Sequence, residues 1–155
     1  MPGGWEVYGI AFHDLRLWEP IALGEGLSAT AVEATHARGE TCVNYLLERD
    51  GRRLLQGHDT GWWPEVTWEF LATWPLDVVL LDCTHGPRPA SPGHLNVEGV
   101  VAAREALAKA GALADGARVI ATHFSHNGGW LHAQLQHYFA PHGIEVAYDG
   151  MALDF

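Results

Sequence analysis

Basic residues are scarce in this chain: nine Lys and Arg stand against 19 Asp and Glu, giving a net charge of −10 with histidine neutral. Phosphate backbones are gripped by basic stripes, so this balance disfavours nucleic acid as the main partner. Long apolar runs are missing too. No stretch approaches the ~18 uninterrupted apolar residues of a membrane-spanning helix. The opening Met1-Pro2-Gly3-Gly4-Trp5 is neither a basic n-region nor the start of a signal peptide. Cysteine is nearly absent. Cys42 and Cys83 sit in separate apolar runs, which reads as free, buried, reduced thiols in a cytoplasmic protein rather than as a disulfide. No linker, repeat or low-complexity segment divides the chain. At roughly 100–200 residues per domain, its 155 residues predict one domain over 1–155.

Against those absences stand 48% hydrophobic residues, enough for a packed core, and ten histidines, more than Lys and Arg together. Histidine is the commonest metal ligand and titrates near neutrality, so the composition hints at metal chemistry that only the arrangement can decide.

The first quarter reads as strands, with an apolar run from Glu6 to Phe12 and a second from Leu27 to Ala34 behind Gly24 and Gly26. Thr41–Glu48 and Arg53–Gln56 form a hairpin around Asp50-Gly51. Pro64 opens a helix with Val66, Phe70 and Trp74 at i, i+4 and i+8, and Pro75 stops it. Asp77–Asp82 suits a strand buried on both faces. Asn96 caps a helix over about 97–110 that Gly111 closes. Arg118–Thr122 is another buried strand. Trp130, Leu131, Gln134, Leu135 and Tyr138 have helical period, and Glu145–Tyr148 with Met151–Leu153 read as a closing hairpin around Asp149-Gly150. The order, β-rich and then alternating, predicts one α/β (α+β) layer structure.

Several polar residues fall just past the ends of apolar strands: His36, His58-Asp59, Asp82 and His123. That edge of an open α/β sheet is where ligands bind. His94 sits in a proline-rich loop before a helix N-terminus, where loop residues meet substrate. Each has a plainer reading. Asp59 in Gly-His-Asp-Thr-Gly can be an ordinary turn residue, Asp77 and Asp82 can cap turns, and His58, His132, His137 and His142 read as surface or helix-face histidines.

Five motifs in order lift the set above coincidence: Gly57-His58-Asp59-Thr60-Gly61, Leu80-Leu81-Asp82-Cys83-Thr84-His85, Gly93-His94-Leu95-Asn96, Thr122-His123-Phe124-Ser125-His126 and Tyr148-Asp149-Gly150-Met151. Together they resemble the metallo-β-lactamase-fold hydrolases, in particular the phosphoribosyl cyclic phosphate phosphodiesterases and their relatives, which also resemble the tRNA 3′-processing nucleases. The resemblance covers the second half of that family's domain. The H-x-H-x-D-H signature of the first half, which supplies four metal ligands, has no counterpart here; His13-Asp14 is the nearest pair and does not fit. The resemblance therefore implies half of an αββα sandwich, a mixed sheet with helices on one face.

The same resemblance implies roles. His36 matches a ligand of the first metal, Asp59 the carboxylate bridging both metals, and His123 a ligand of the second. His94 matches the catalytic histidine that helps the leaving group depart. Asp82 and His85 fall in a stretch that orients ligands, and His126 belongs with them or with substrate. Two divalent ions, zinc or manganese, would then generate a bridging hydroxide, with Asp59 and His94 as the catalytic pair, acting on a phosphodiester or another small ester.

A catalytic zinc takes three protein ligands, and His36, Asp59 and His123 supply fewer than that for each of two ions, so the expected site is incomplete in this chain. Packing argues alike. An inner sheet face carrying Val43, Tyr45, Leu47, Leu54 and Val79 would lie open without a partner sheet. Three assemblies answer this: a longer chain with the N-terminal half upstream, a separately encoded N-terminal half, or a homodimer. The competing function class is a binding or regulatory half-domain without catalysis.

Overall fold

A computed structural model describes residues 9 and 11–155. Among these residues seven strands run in one sheet whose spatial order equals their sequence order: β1 (Pro20–Gly24), β2 (Leu27–Ala34), β3 (Cys42–Arg49), β4 (Arg52–Gly57), β5 (Leu76–Asp82), β6 (Leu113–Thr122) and β7 (Ile144–Val146). The first four pair antiparallel through short turns, and β4 to β7 pair parallel. Parallel neighbours need crossovers, supplied by α1 (Glu65–Leu71), α2 (Val97–Lys109) and α3 (His132–Phe139). Each crossover steps the same way across the sheet. With the usual right-handedness, all three helices land on one face. The expected mixed α/β sheet with helices on one side is what the chain forms.

Two alternations set the two faces. Val32, Leu46, Leu55, Val79, Leu81, Val119 and Ala121 point to the helices and join Val100, Leu107, Leu135 and Phe139 in the main core. Trp63, 2% exposed, belongs to it, and burial of one such side chain contributes about 1.5–3 kcal/mol. Its indole Nε1–H donates to Asn44 (2.7 Å), which meets the need of a buried polar atom. The opposite face holds Leu54, Val78 and Ile120, covered by Ala147, Met151, Leu153 and Phe155 of the C-terminal segment. Beyond that cover, Leu15, Ile21, Leu23, Ala29, Ala31, Tyr45, Leu47 and Gln56 line an open cavity of about 290 Å³.

The structure corrects several sequence readings. Val79 faces the helices, not the open side. Leu54 pairs in register with Val78, so these two share a face and Val79 takes the other. In α1, Val66 is 44% exposed while Thr67 and Leu71 are buried, and Pro64 is the N-cap rather than the first helical residue. Leu131 is the N-cap of α3 and lies exposed. Met151–Leu153 is not a strand; it packs as a tail over Leu54 and Ile120. The edge strand β1 was not anticipated, because Pro20 and Gly24 bracket only three residues between them. The expected strand over Glu6–Phe12 lies outside the described residues at 6–8 and 10, and Ala11 and Phe12 are not in a strand. Cys83 is buried, but Cys42 is only half-buried; both are free. No helix among the described residues is long and apolar enough to cross a membrane.

Candidate metal and catalytic site

Because β3 is antiparallel to both neighbours, β2 runs in the same direction as β4, β5 and β6. The C-terminal ends of all four open on one edge, which brings His36, Asp59, Asp82 and His123 together from four separate strands. The loop after β5 adds His94 by folding back, with Ser91 and His94 exchanging backbone hydrogen bonds.

Asp82 is the hub. It is fully buried, and every contact of its carboxylate is with a donor. Oδ1 accepts from the backbone N–H of Thr84 (3.0 Å) and Leu95 (3.2 Å). Oδ2 accepts from the backbone N–H of Asp59 (3.1 Å), the Thr84 hydroxyl (3.1 Å) and His94 Nδ1 (3.0 Å), and His123 Nδ1 lies 3.1 Å away. A carboxylate only accepts, so His94 carries a proton on Nδ1 and keeps Nε2 for other partners. With its proton given to Asp82, the Thr84 hydroxyl oxygen accepts from His123 Nδ1–H (2.8 Å), which ties that ring to Asp82 and leaves its Nε2 for other partners. A carboxylate behind a histidine is the usual way to fix the tautomer of a metal ligand.

His123 Nε2 lies 3.4 Å from Asp59 Oδ1. Two donors bound at about 2.0–2.2 Å to one tetrahedral ion sit at this kind of separation, so the pair fits a divalent metal. Among the described residues, Asp59, Asp82, His94 and His123 offer donor atoms that all lie within 4.8 Å of one another. Asp82 is committed to five donors, so its part in that group is to hold the others.

His36 stands at the border of this group. Its Nδ1–H donates to the Gly93 carbonyl (3.1 Å), leaving Nε2 free, and its ring meets that of His94 edge-on at 4.8 Å. His85 lies 5.8 Å from His94 and spends Nε2 on the Ser91 hydroxyl (3.0 Å), which braces the loop. His126 is exposed and outside the group. His58 differs from its surface reading: it is half-buried and stacks on His123 at 5.5 Å. Burial first, then the neighbouring His123, pushes its pKa below the usual value, and its Nε2 is buried without a hydrogen-bond partner.

Local geometry explains these placements. Asp59 and His123 have φ of 50° and 58°, the left-handed region that Asp and His enter more readily than most residues. Asn44 Nδ2 donates to the His58 carbonyl (2.7 Å), anchoring the turn that carries Asp59. Thr35 N–H donates to the Thr60 hydroxyl (3.2 Å) and its carbonyl accepts from Gly61 N–H (2.7 Å), which ties the His36 and Asp59 segments together. A Cβ at Gly61 would run into the Pro92 carbonyl, and one at Gly93 into that of His36. Asn44 and Thr84 were missed in the sequence. Thr84 had a signal, a hydroxyl two residues after a strand-ending aspartate; Asn44, alternating among apolar residues, had none. Asp77 accepts from Arg53 N–H (2.8 Å) and pairs with Arg52 (2.6 Å), a structural role away from this edge.

Residues 4–124 match the model of the Beta-lactamase superfamily domain. No curated protein matches the chain. Among solved structures, the metallo-beta-lactamase fold protein YhfI from Bacillus subtilis superposes with a TM-score of 0.65 at 17% identity, over 88% of this chain and 53% of that one. Zn(2+)-bound PqqB from Methylobacterium extorquens gives 0.65 at 20% identity, over 91% and 55%. Igni18, a metallo hydrolase from the archaeon Ignicoccus hospitalis, gives 0.63 at 16%, over 92% and 59%. At these identities the likeness is one of fold, and the chain spans little more than half the length of these neighbours.

Proposed function

The chain belongs to the beta-lactamase superfamily, and on that footing we propose that it forms the C-terminal half of a metal-dependent hydrolase that cleaves small phosphodiesters. The observation that carries this reading is the placement of Asp82, which accepts from His94 Nδ1 directly and is linked to His123 Nδ1 through the Thr84 hydroxyl, so that both Nε2 atoms are left for other partners. His36, Asp59 and His123 would hold the divalent metal, zinc or manganese. Bound there, it would supply Lewis-acid polarisation of a phosphoryl oxygen and acidify water.

His94 then has a separate task. As the imidazolium, with both ring nitrogens protonated, it can hand the Nε2 proton to the departing alkoxide and keep Nδ1–H anchored on Asp82, a step worth typically about 10²–10⁴-fold. His85 and Ser91 hold the loop so that the ring stays aligned. Asp59 and His123 face each other from two strand ends, so the spacing of the metal donors is set by the sheet rather than by a mobile loop.

Three donors for two ions leave the shell short, and the open apolar face beside Tyr45 and Leu47 supports a second polypeptide layer as their source. An H-x-H-x-D-H segment, in the same chain or in a partner, would complete it; a second copy of this chain is the other assembly. The test is zinc titration and turnover of bis(p-nitrophenyl) phosphate, with the chain alone and then with an H-x-H-x-D-H half added. Weak metal binding and little turnover alone, with both rising in the complex and falling again in Asp59→Ala, is expected. Turnover unaffected by Asp59→Ala overturns the metal reading, tight two-metal loading by the chain alone overturns the half-site reading, and strong association without turnover favours a binding module.

A further inference from the structure

A second cavity, of about 560 Å³, opens beside the candidate site, and His36 lines both. Its walls include Pro64 and Pro92, with Glu33 and Arg38 among its polar lining. Arg16, Arg49, Arg52, Arg53 and Arg118 each pair with a carboxylate. Among the described residues Arg38 makes no ion pair, although acidic residues outnumber basic ones two to one. Arg88, Arg104 and Lys109 share that lack among the described residues, but none of them lines this cavity.

We propose that this cavity is the substrate's second subsite, in which Arg38 grips an anionic group, a phosphate or carboxylate, carried on the substrate away from the bond being broken. A guanidinium presents a planar fork of donors that matches either anion bidentately. The prolines and the neighbouring alanines give the cavity an apolar, pre-formed wall, as ligand sites require. Glu33 lines the same space and repels a second negative charge, so the subsite takes one anionic group with uncharged or hydroxyl-bearing neighbours. The use of the subsite in catalysis rests on the hydrolase reading above; its ability to bind an anion does not.

The metal-free full chain separates the two. The Arg38 Nε–H signal is followed by ¹⁵N NMR during titration with inorganic phosphate and, separately, with acetate. A saturable shift at Arg38 and none at Arg88 is expected. Arg38→Gln should weaken the tighter anion by about tenfold or more, while Asp59→Asn leaves its affinity intact. Tighter phosphate assigns phosphate-bearing substrates and tighter acetate assigns carboxylates. No shift with either anion, or equal affinity in Arg38→Gln, overturns the subsite. In the assembled enzyme, Arg38→Gln should raise KM for an ester with a distal anion relative to one without, with kcat held. If the assembly turns over no ester, the hydrolase reading fails while the NMR titration still decides the subsite.

Discussion

Asp59 and His123 approach to 3.4 Å while both adopt left-handed backbone, with φ of 50° and 58°. Two such residues, past the ends of the strands that flank β5, place their side chains where extended backbone would not. Strain of this kind costs about 1–3 kcal/mol per residue and persists where function needs it. Glycine removes the penalty, so metal-free His123→Gly should unfold in urea within about 1 kcal/mol of the parent. The same variant should lose divalent-metal affinity by more than about tenfold in calorimetric titration. A large loss of stability would instead make His123 a residue that holds the fold.

Asp82 predicts a split between stability and chemistry. Asp82→Ala strands the buried N–H groups of Asp59, Thr84 and Leu95, and should cost about 3–5 kcal/mol in urea unfolding. Asp82→Asn keeps an acceptor and should cost less, yet its amide can no longer accept at both oxygens from the donors that hold His94 and the Thr84 hydroxyl. Metal affinity should then fall by about 10–100-fold, together with turnover in the assembled enzyme. Parental metal affinity in Asp82→Asn would show that the histidines orient themselves.

The two thiols should separate cleanly. Burial, and then the adjacent Asp82, push the Cys83 thiol up to about 12, so almost no thiolate exists near neutrality. Cys42 is partly accessible. Native protein should react with an aromatic disulfide reagent at Cys42 alone, and Cys83 should follow only in denaturant. Fast labelling of both in the native state would contradict the packing around β5.

Arg118 and Glu145 clasp β6 to β7 through two bonds of 2.7 and 2.8 Å. The Arg118 guanidinium holds the Glu145 carboxyl below its usual value. The pair's contribution is therefore present above the unfolded carboxyl pKa and lost as pH falls through the folded one. Both side chains are more than a third exposed, which limits the effect to below about 1 kcal/mol. Glu145→Gln should flatten that part of the acid limb of stability, measured by thermal melts across pH.

The open sheet face makes a further test. Leu47→Asp puts a charge among Tyr45, Ala29 and Ala31 on the uncovered side. It should block association with a partner half or a second copy in size-exclusion chromatography while leaving the circular dichroism spectrum unchanged. Association that survives the substitution would locate the interface elsewhere.

Much of this architecture was readable from residue patterns. β2 and the Asn96-capped α2 stand where alternation and capping chemistry predict them, and Asn96 accepts from Gly99 N–H as an N-cap should. Where reading failed, tertiary contacts had overridden local pattern. Val79 lies in a run of apolar residues that gives no clue to its face, and only pairing with β4 decides it. Val66 fits a helical stripe but is turned outward because Thr67 is drawn inward by its bond to the Glu33 carbonyl (2.7 Å). At the site, the strand-ending Asp59, Asp82 and His123 were visible as polar ends of apolar runs. The stacking of His58 on His123 was not, since nothing in sequence reports which way a ring turns.

Spatial order that copies chain order also bears on how the molecule is made. During synthesis each newly emerged strand meets an edge already laid down by its predecessor, and no earlier strand must be prised open to admit a later one. Assembly can therefore advance across the sheet in the direction of translation. The edge that carries the candidate site is finished only when β6 docks and delivers His123, so chains stalled before that point carry the hairpins without the full donor group.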